Sequence, residues 1–158
     1  MNFQPVVPVI AASQSLSGCL ISHPEDMLLD AVPDLVDKRA IVLGPDIGVM
    51  CELIRRGCRE VTEIKQNDRP PLGSADVVIV PSVGTANGAV SAVANARRRL
   101  APAGCILLRT AADPGGWLGH VVERSHRFHG FSAIRVRRVM DRAMFTAELP
   151  SFGPMASA

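Results

Sequence analysis

RAIVLGPDIGVMCELIRRGCREVTEIK, residues 39–65, holds a strand, a glycine turn, a helix and a second strand in that order. Ile41, Val42 and Leu43 form a short apolar run without polar alternation, which suits a central parallel strand covered on both faces. Gly44-Pro45-Asp46-Ile47-Gly48 is a compact turn, and its glycines permit a tight bend and the close approach of a ligand. Val49, Met50, Leu53 and Ile54 recur at helical spacing as one apolar stripe, with Glu52, Arg55 and Arg56 on the other side. Gly57 closes the helix as a C-terminal cap would, and Val61 to Ile64 supply the next strand. The whole reads as the first βαβ unit of a nucleotide-binding α/β domain. Its helix N-terminus points free N–H groups at whatever sits above Gly44 to Gly48. The blander reading, that the glycines only turn a strand into a helix, carries equal weight at this point.

Composition sets the bounds. At 158 residues the chain is one domain with room for a core, and 47% hydrophobic residues with a mean hydropathy of +0.21 argue against disorder. No apolar run is long enough for a bilayer, and no cationic start precedes an apolar core with a cleavage site, so a cytoplasmic location is expected. Cys19, Cys51, Cys58 and Cys105 form no C-x-x-C pair, which predicts free thiols in a reducing compartment and no metal site. A net charge of +2 gives no strong nucleic-acid signal. Lys38 and Lys65 are the only lysines among many arginines, a bias read as genomic composition.

Outside the first unit, residues 1–23 form an N-terminal arm with Pro5 and Pro8 among valines. Ser22-His23-Pro24-Glu25-Asp26 starts a helix whose apolar side is Met27, Leu28, Leu29 and Val32. Polar, proline-broken residues 66–71 lead to the apolar strand Val77 to Val80, with no room between for a further helix and strand. Residues 86–100 form a helix with Val90, Val93, Ala94 and Leu100 inward and the triplet Arg97, Arg98, Arg99 as a solvated last turn. Pro102-Ala103-Gly104 turns into the buried strand Cys105 to Leu108. Trp117 to Phe128 is a helix, and Phe131 to Val139 with Ala143 to Leu149 is an antiparallel hairpin tipped by Asp141-Arg142. In it Ile134 and Val136 alternate with Arg135 and Arg137, one buried face and one basic face. The folded domain spans residues 24–150, and residues 151–158 are a frayed tail.

This ordered pattern resembles the class I S-adenosylmethionine-dependent methyltransferase family. Val42-Leu43-Gly44-Pro45-Asp46-Ile47-Gly48 is similar to that family's glycine motif after its first strand. Arg99-Leu100-Ala101-Pro102-Ala103-Gly104-Cys105-Ile106-Leu107 is similar to its leucine-x-proline-x-glycine turn into the fifth strand. Gly130-Phe131 and the closing hairpin resemble its reversed terminal strand. The resemblance covers residues 24–149 and implies a three-layer Rossmann-like α/β fold, mostly parallel, with an antiparallel C-terminal hairpin and the third strand missing. In family numbering the sheet order would be 2-1-4-5-7-6. It also implies S-adenosylmethionine or a related nucleotide as cofactor, at Gly44, Pro45, Asp46, Gly48, Glu63, Lys65, Pro81 and Ser82.

Four departures matter. Asp46 replaces the middle glycine of G-x-G-x-G and would crowd the methionine portion. Lys65 stands where the family places a carboxylate for the ribose hydroxyls, and an ammonium offers no acceptor; Glu63 or Asp68 could serve only in a shifted register. The third strand and its helix, which wall the adenine, are absent, and Pro81-Ser82 lacks the amino-methylation motif. No catalytic residue is assigned. His120, His126 and His129 are poorly spaced for zinc, and Asp113 beside Pro114-Gly115-Gly116 reads as turn chemistry before it reads as an acid–base pair with His120. Arg135, Arg137, Arg138 and Arg142 form a basic hairpin: an edge guard first, then a partner surface, then a weak phosphate contact. Two functions follow, a methyltransferase-like nucleotide binder and a catalytically inactive binding or assembly partner of the same fold. The open edge at strand Val61 to Ile64, covered by Val6 to Ile10 or by a second copy, predicts a homodimer.

Overall fold

The computed structural model describes residues 28–32, 34–65, 68 and 72–151. The strands are β1 Arg39–Leu43, β2 Glu60–Ile64, β3 Ala75–Val83, β4 Leu100–Thr110, β5 Ser132–Val139 and β6 Arg142–Glu148. The helices are α1 Ile47–Arg55, α2 Ala86–Arg99 and α3 Trp117–Phe128. The sheet order is β2-β1-β3-β4-β6-β5. β2, β1, β3 and β4 run parallel, and β6 is antiparallel to both β4 and β5. Written in the family's numbering this is the expected 2-1-4-5-7-6, and among the described residues β2 is an edge. The arm, the helix start at residues 22–26 and the tail from residue 152 lie outside the described residues.

Strands covered on both faces explain the apolar runs. Ile41, Leu43, Val78, Val80, Ile106, Leu108 and Phe145 point to the α2–α3 side. Ala40, Val42, Val77, Ile79 and Leu107 point to the other side, where Val49 and Leu53 of α1 pack with Leu28 and Leu29. The apolar stripe of α1 is narrower than its spacing predicts: Val49 and Leu53 are buried, while Ile54 is 62% exposed. The inner face of α2 is Ala89, Ala92, Val93 and Ala96, with Val90 turned outward, because small side chains let the helix lie close on the sheet. Gly57 closes α1 as expected. Its N–H bonds Ile54 O at 3.0 Å, Cys58 N–H bonds Leu53 O at 3.1 Å, and Gly57 takes φ 87°, the left-handed cap that glycine favours. Arg56 donates to Glu52 and to Asp30, each at 2.7 Å, and so ties α1 to the turn at residues 28–32.

Two further expectations change. Arg99 is 3% exposed and is no part of a solvated helix end; its guanidinium donates to Asp68 O at 2.6 Å. The hairpin turns at Met140-Asp141, with Met140 at φ 56°, and Arg142 belongs to β6 opposite Val139. Gly104 sits where a Cβ would meet Ala101 O and a Leu100 methyl at 2.9 Å, so close backbone approach fixes glycine in the turn into β4. Among the described residues no helix is long and apolar enough to cross a membrane.

His126 lies fully buried on α3, its ring edge-on to Phe131 at 5.2 Å and stacked on Phe145 at 6.0 Å. Nδ1 lies 2.8 Å from Val122 O, the i−4 carbonyl, and Nε2 has no hydrogen-bond partner. Burial lowers its pKa below 6.5, so the imidazole stays neutral and Nδ1 carries the donated proton. The unfolded chain therefore takes up a proton first. Stability attributable to this site is complete above pH 6.5 and declines as the pH falls below it. Urea melts of wild type and His126→Phe between pH 8 and 5 should show that decline (about 1.4 kcal/mol per pH unit at most) in wild type and a flatter profile in the variant.

Candidate functional site

The site begins where β1 and β3 end side by side. Val42 pairs with Ile79, so Leu43-Gly44 emerges next to Val80 to Ser82 at the C-terminal ends of parallel strands. Open α/β sheets bind ligands at such a crevice, where neighbouring strands send their helices to opposite faces. That reversal holds here: α1 follows β1 on one face and α2 follows β3 on the other. Gly44 takes φ 104°, a conformation disfavoured for any residue with a Cβ, and no atom lies within 4 Å of where a Cβ would stand. Its N–H bonds Ile64 O at 3.1 Å, which brings the end of β2 to the same place.

Asp46 does not project into this crevice. It is the N-cap of α1, with extended backbone, and its Oδ1 accepts from Val49 N–H at 3.0 Å. Pro45 precedes it, exposed, and Gly48 is exposed in the first turn. Thr85 caps α2 in the same manner, accepting from Gly88 N–H at 3.0 Å; a Cβ on Gly88 would stand 2.9 Å from the Thr85 hydroxyl. Leu43, Gly44, Val80, Ser82, Val83, Gly84, Gly88 and Ala92 line a cleft of about 280 Å³ here. Pro81 is buried, and its carbonyl accepts from Arg109 Nε at 2.9 Å; Ser82 beside it is exposed.

At β2 the positions separate. Glu63 lies within the strand opposite Val42, and Lys65 is exposed just past its end. Asp68 turns back to that end. Its N–H bonds Lys65 O at 3.0 Å and its Oδ2 accepts from Lys65 N–H at 3.2 Å. The buried Arg99 guanidinium donates to the Asp68 carbonyl. The two bonds with Lys65 hold the Asp68 carboxylate against that residue, just past the end of β2. The sequence signal for Arg99 was faint: one member of an arginine triplet, distinguished only by helical phase with Ala92 and Ala96.

The remaining candidates are structural. Asp113 Oδ2 accepts from Gly119 N–H at 2.9 Å and secures the start of α3, while His120 is exposed. His126 belongs to the core, and no three potential metal ligands cluster among the described residues. Burial, aided by Glu148, pushes the Cys105 thiol up to about 11, which keeps it protonated and unreactive. A larger cavity of about 520 Å³ opens at the opposite, N-terminal ends of the strands, between Asp34, Lys38, Asp76, Arg135 and Glu148. There Asp76 accepts from Arg39 N–H at 2.9 Å and from its guanidinium at 3.2 Å, a latch between the starts of β1 and β3.

The fold as a whole agrees with solved structures. A 16S rRNA methyltransferase from T. thermophilus, in complex with AdoMet and guanosine, superposes with a TM-score of 0.59 at 18% identity over 82% of this chain. The fold is that of the class I S-adenosylmethionine-dependent methyltransferases. A ribosomal protein L11 methylase from Lactobacillus delbrueckii subsp. bulgaricus matches at TM-score 0.64, 10% identity and 80% coverage of this chain, 77% of its own. A Burkholderia thailandensis 1,6-didemethyltoxoflavin-N1-methyltransferase with bound S-adenosylhomocysteine matches at TM-score 0.62, 11% identity, 80% and 76%. The chain spans 40% of the length of the rRNA enzyme. No family model and no curated protein sequence matches the chain.

The Asp46 cap gives a direct check. Asp46→Ala should lower stability by about 1 kcal/mol in urea denaturation, and Asp46→Gly, which restores the usual glycine spacing, by only a few tenths.

Proposed function

We propose that this methyltransferase-like chain binds S-adenosylmethionine, or a related nucleotide, across the C-terminal ends of β1, β2 and β3. The observation that carries the reading is the turn of Asp46 onto Val49 N–H. It leaves the space over Gly44 clear and satisfies a helix N–H without the ligand. Gly44, Pro45, Asp46 and Gly48 then form the loop beneath the amino-acid portion. Asp68, beside Glu63 and Lys65, supplies the acceptor for ribose hydroxyls, and Pro81-Ser82 borders the reacting end. When bound, the cofactor supplies an electrophilic methyl on a sulfonium. The chain's own residues hold and orient, which is most of what an in-line transfer requires.

A second reading has its own observation. The cleft of about 280 Å³ falls just below the 300–1,000 Å³ range of small-molecule sites, and beyond β2 no further strand walls it among the described residues. That favours a fold without catalysis that serves as a binding or assembly partner. The homodimer is the weaker half of this reading, because Glu60 and Glu63 on the β2 edge would gather four carboxylates along a symmetric seam.

Titration calorimetry with S-adenosylmethionine and S-adenosylhomocysteine separates the two. Saturable heat is expected. Asp68→Asn should weaken binding by about 1.5–3 kcal/mol and Lys65→Asp should tighten it. Absence of heat at millimolar ligand would transfer the argument to the second reading.

A further inference from the structure

The larger cavity, at the N-terminal ends of the strands, plays no part in cofactor binding. Two interruptions of the sheet frame it. β3 advances from Ala75 to Val77 while β4 advances from Leu100 to Cys105, which leaves Ala101 to Gly104 as extra residues on β4. Likewise β5 advances from Ser132 to Arg135 while β6 covers only Glu148 to Thr146, a bulge that includes Ala133. Ala103 and Ala133 both line the cavity, at φ 62° and 49°, left-handed conformations that a Cβ disfavours. Bulges and strained backbone of this kind collect beside ligand sites.

The walls carry both signs of charge. Val77, Cys105 and Thr146 share one face of the sheet and form the floor. Asp34 and Lys38 stand on the segment before β1, Arg135 on β5 and Glu148 at the end of β6. Glu148 lies two residues beyond Thr146, the partner of Arg135, so the two charges are diagonal neighbours on the floor's face. Asp76 is already matched by Arg39. The other four make no ion pair among the described residues, with one another or with any other group. Asp34 alone spends an oxygen, on Val36 N–H at 3.1 Å. Two cations and two anions therefore gather on one void without joining. Burial first, and then Glu148, raise the pKa of the Cys105 thiol while Lys38 opposes them, so charges of both signs bear on the floor.

We propose that this cavity binds a free α-amino acid as its zwitterion, with the carboxylate on Arg135, the ammonium on Glu148 and the side chain directed toward the wall of Asp34 and Lys38. A guanidinium fork matches a carboxylate with two parallel hydrogen bonds. At about 520 Å³ the cavity lies within the range of small-molecule sites. Charge selects the ligand class. A polyanion would meet Asp34 and Glu148, and a polycation would meet Lys38 and Arg135. A metal ion lacks a set of ligands, since no three potential ones cluster among the described residues. A small molecule that carries one charge of each sign satisfies both walls. The site is separate from the cofactor crevice, which opens at the other ends of the same strands.

The test is titration calorimetry of the full chain with the common L-amino acids, one at a time at millimolar concentration and without cofactor, so its failure stays distinct from failure of the cofactor titration. At least one should give saturable heat. Its carboxamide lacks the anion and its N-acetyl derivative lacks the cation, and each should bind at least about tenfold more weakly. The double variant Arg135→Gln/Glu148→Gln should lose the heat. Arg137→Gln/Asp141→Asn makes the same charge changes at exposed positions elsewhere on the hairpin and should bind like wild type. Circular dichroism establishes that both variants are folded. S-adenosylhomocysteine, which itself ends in an amino acid, controls for location: at millimolar concentration it should leave the amino acid's affinity unchanged. No saturable heat from any amino acid, undiminished binding of the carboxamide or the N-acetyl derivative, equal loss in both double variants, or displacement by S-adenosylhomocysteine would overturn the proposal, the last in favour of the cofactor crevice.

Discussion

The pairing of β1 with β3 is the constraint on which the rest depends. Ala40 to Val42 lie beside Val77 to Ile79 although 37 residues separate the partners. Loop closure over that distance has to be offset by strands buried on both faces. The Arg39–Asp76 latch at their starts sets the alignment, a charged hydrogen bond doubled by a backbone one. Hydrogen bonding to Arg39 holds the Asp76 carboxyl below its usual range and raises the Arg39 guanidinium. With that register set, the glycine loop and Pro81-Ser82 meet at one end, and the larger cavity is left at the other.

Economy marks the β2 side. Ten residues, 65–74, connect β2 to β3, where the resemblance implies a further strand and helix. The buried Arg99 guanidinium and the Asp68 turn occupy the end of β2 in their place. Burial lowers the Arg99 pKa without neutralising it, so a cation is kept inside by one short bond to a carbonyl. A buried, partly unsatisfied arginine is a costly strut for a loop. Its bond to the Asp68 carbonyl gives a reason for the cost: it ties Asp68 to the end of α2 while the Asp68 carboxylate accepts from Lys65 N–H at the end of β2.

The α1 helix shows how local chemistry serves the same end. Asp46 begins it and Gly57 finishes it, while Arg55 and Arg56 converge on Glu52. Hydrogen bonds from Arg55, and then Arg56, hold the Glu52 carboxyl down at about 2. Capped at both ends and tied to Asp30, the helix is a rigid mount for the glycine loop.

Periodicity and punctuation determined a great deal by themselves. Apolar runs of four residues, a glycine at each end of α1 and a basic alternating hairpin dictated element order, the parallel sheet with its reversed strand and the place of the crevice. These are local signals, and each is enforced by backbone geometry within a few residues. Tertiary structure alone decided three matters. It turned Asp46 from an obstruction into a cap, because a side chain's direction depends on the donor it finds at Val49. It buried Arg99 and exposed Val90, because helical phase fixes a face but only packing against the sheet chooses which face is inside. It bound Asp68 to Lys65 at the end of β2, because a hydrogen bond beyond a strand's last residue cannot be inferred from the strand's period. Where a residue's role depends on a partner distant in sequence, no pattern within the segment could have declared it.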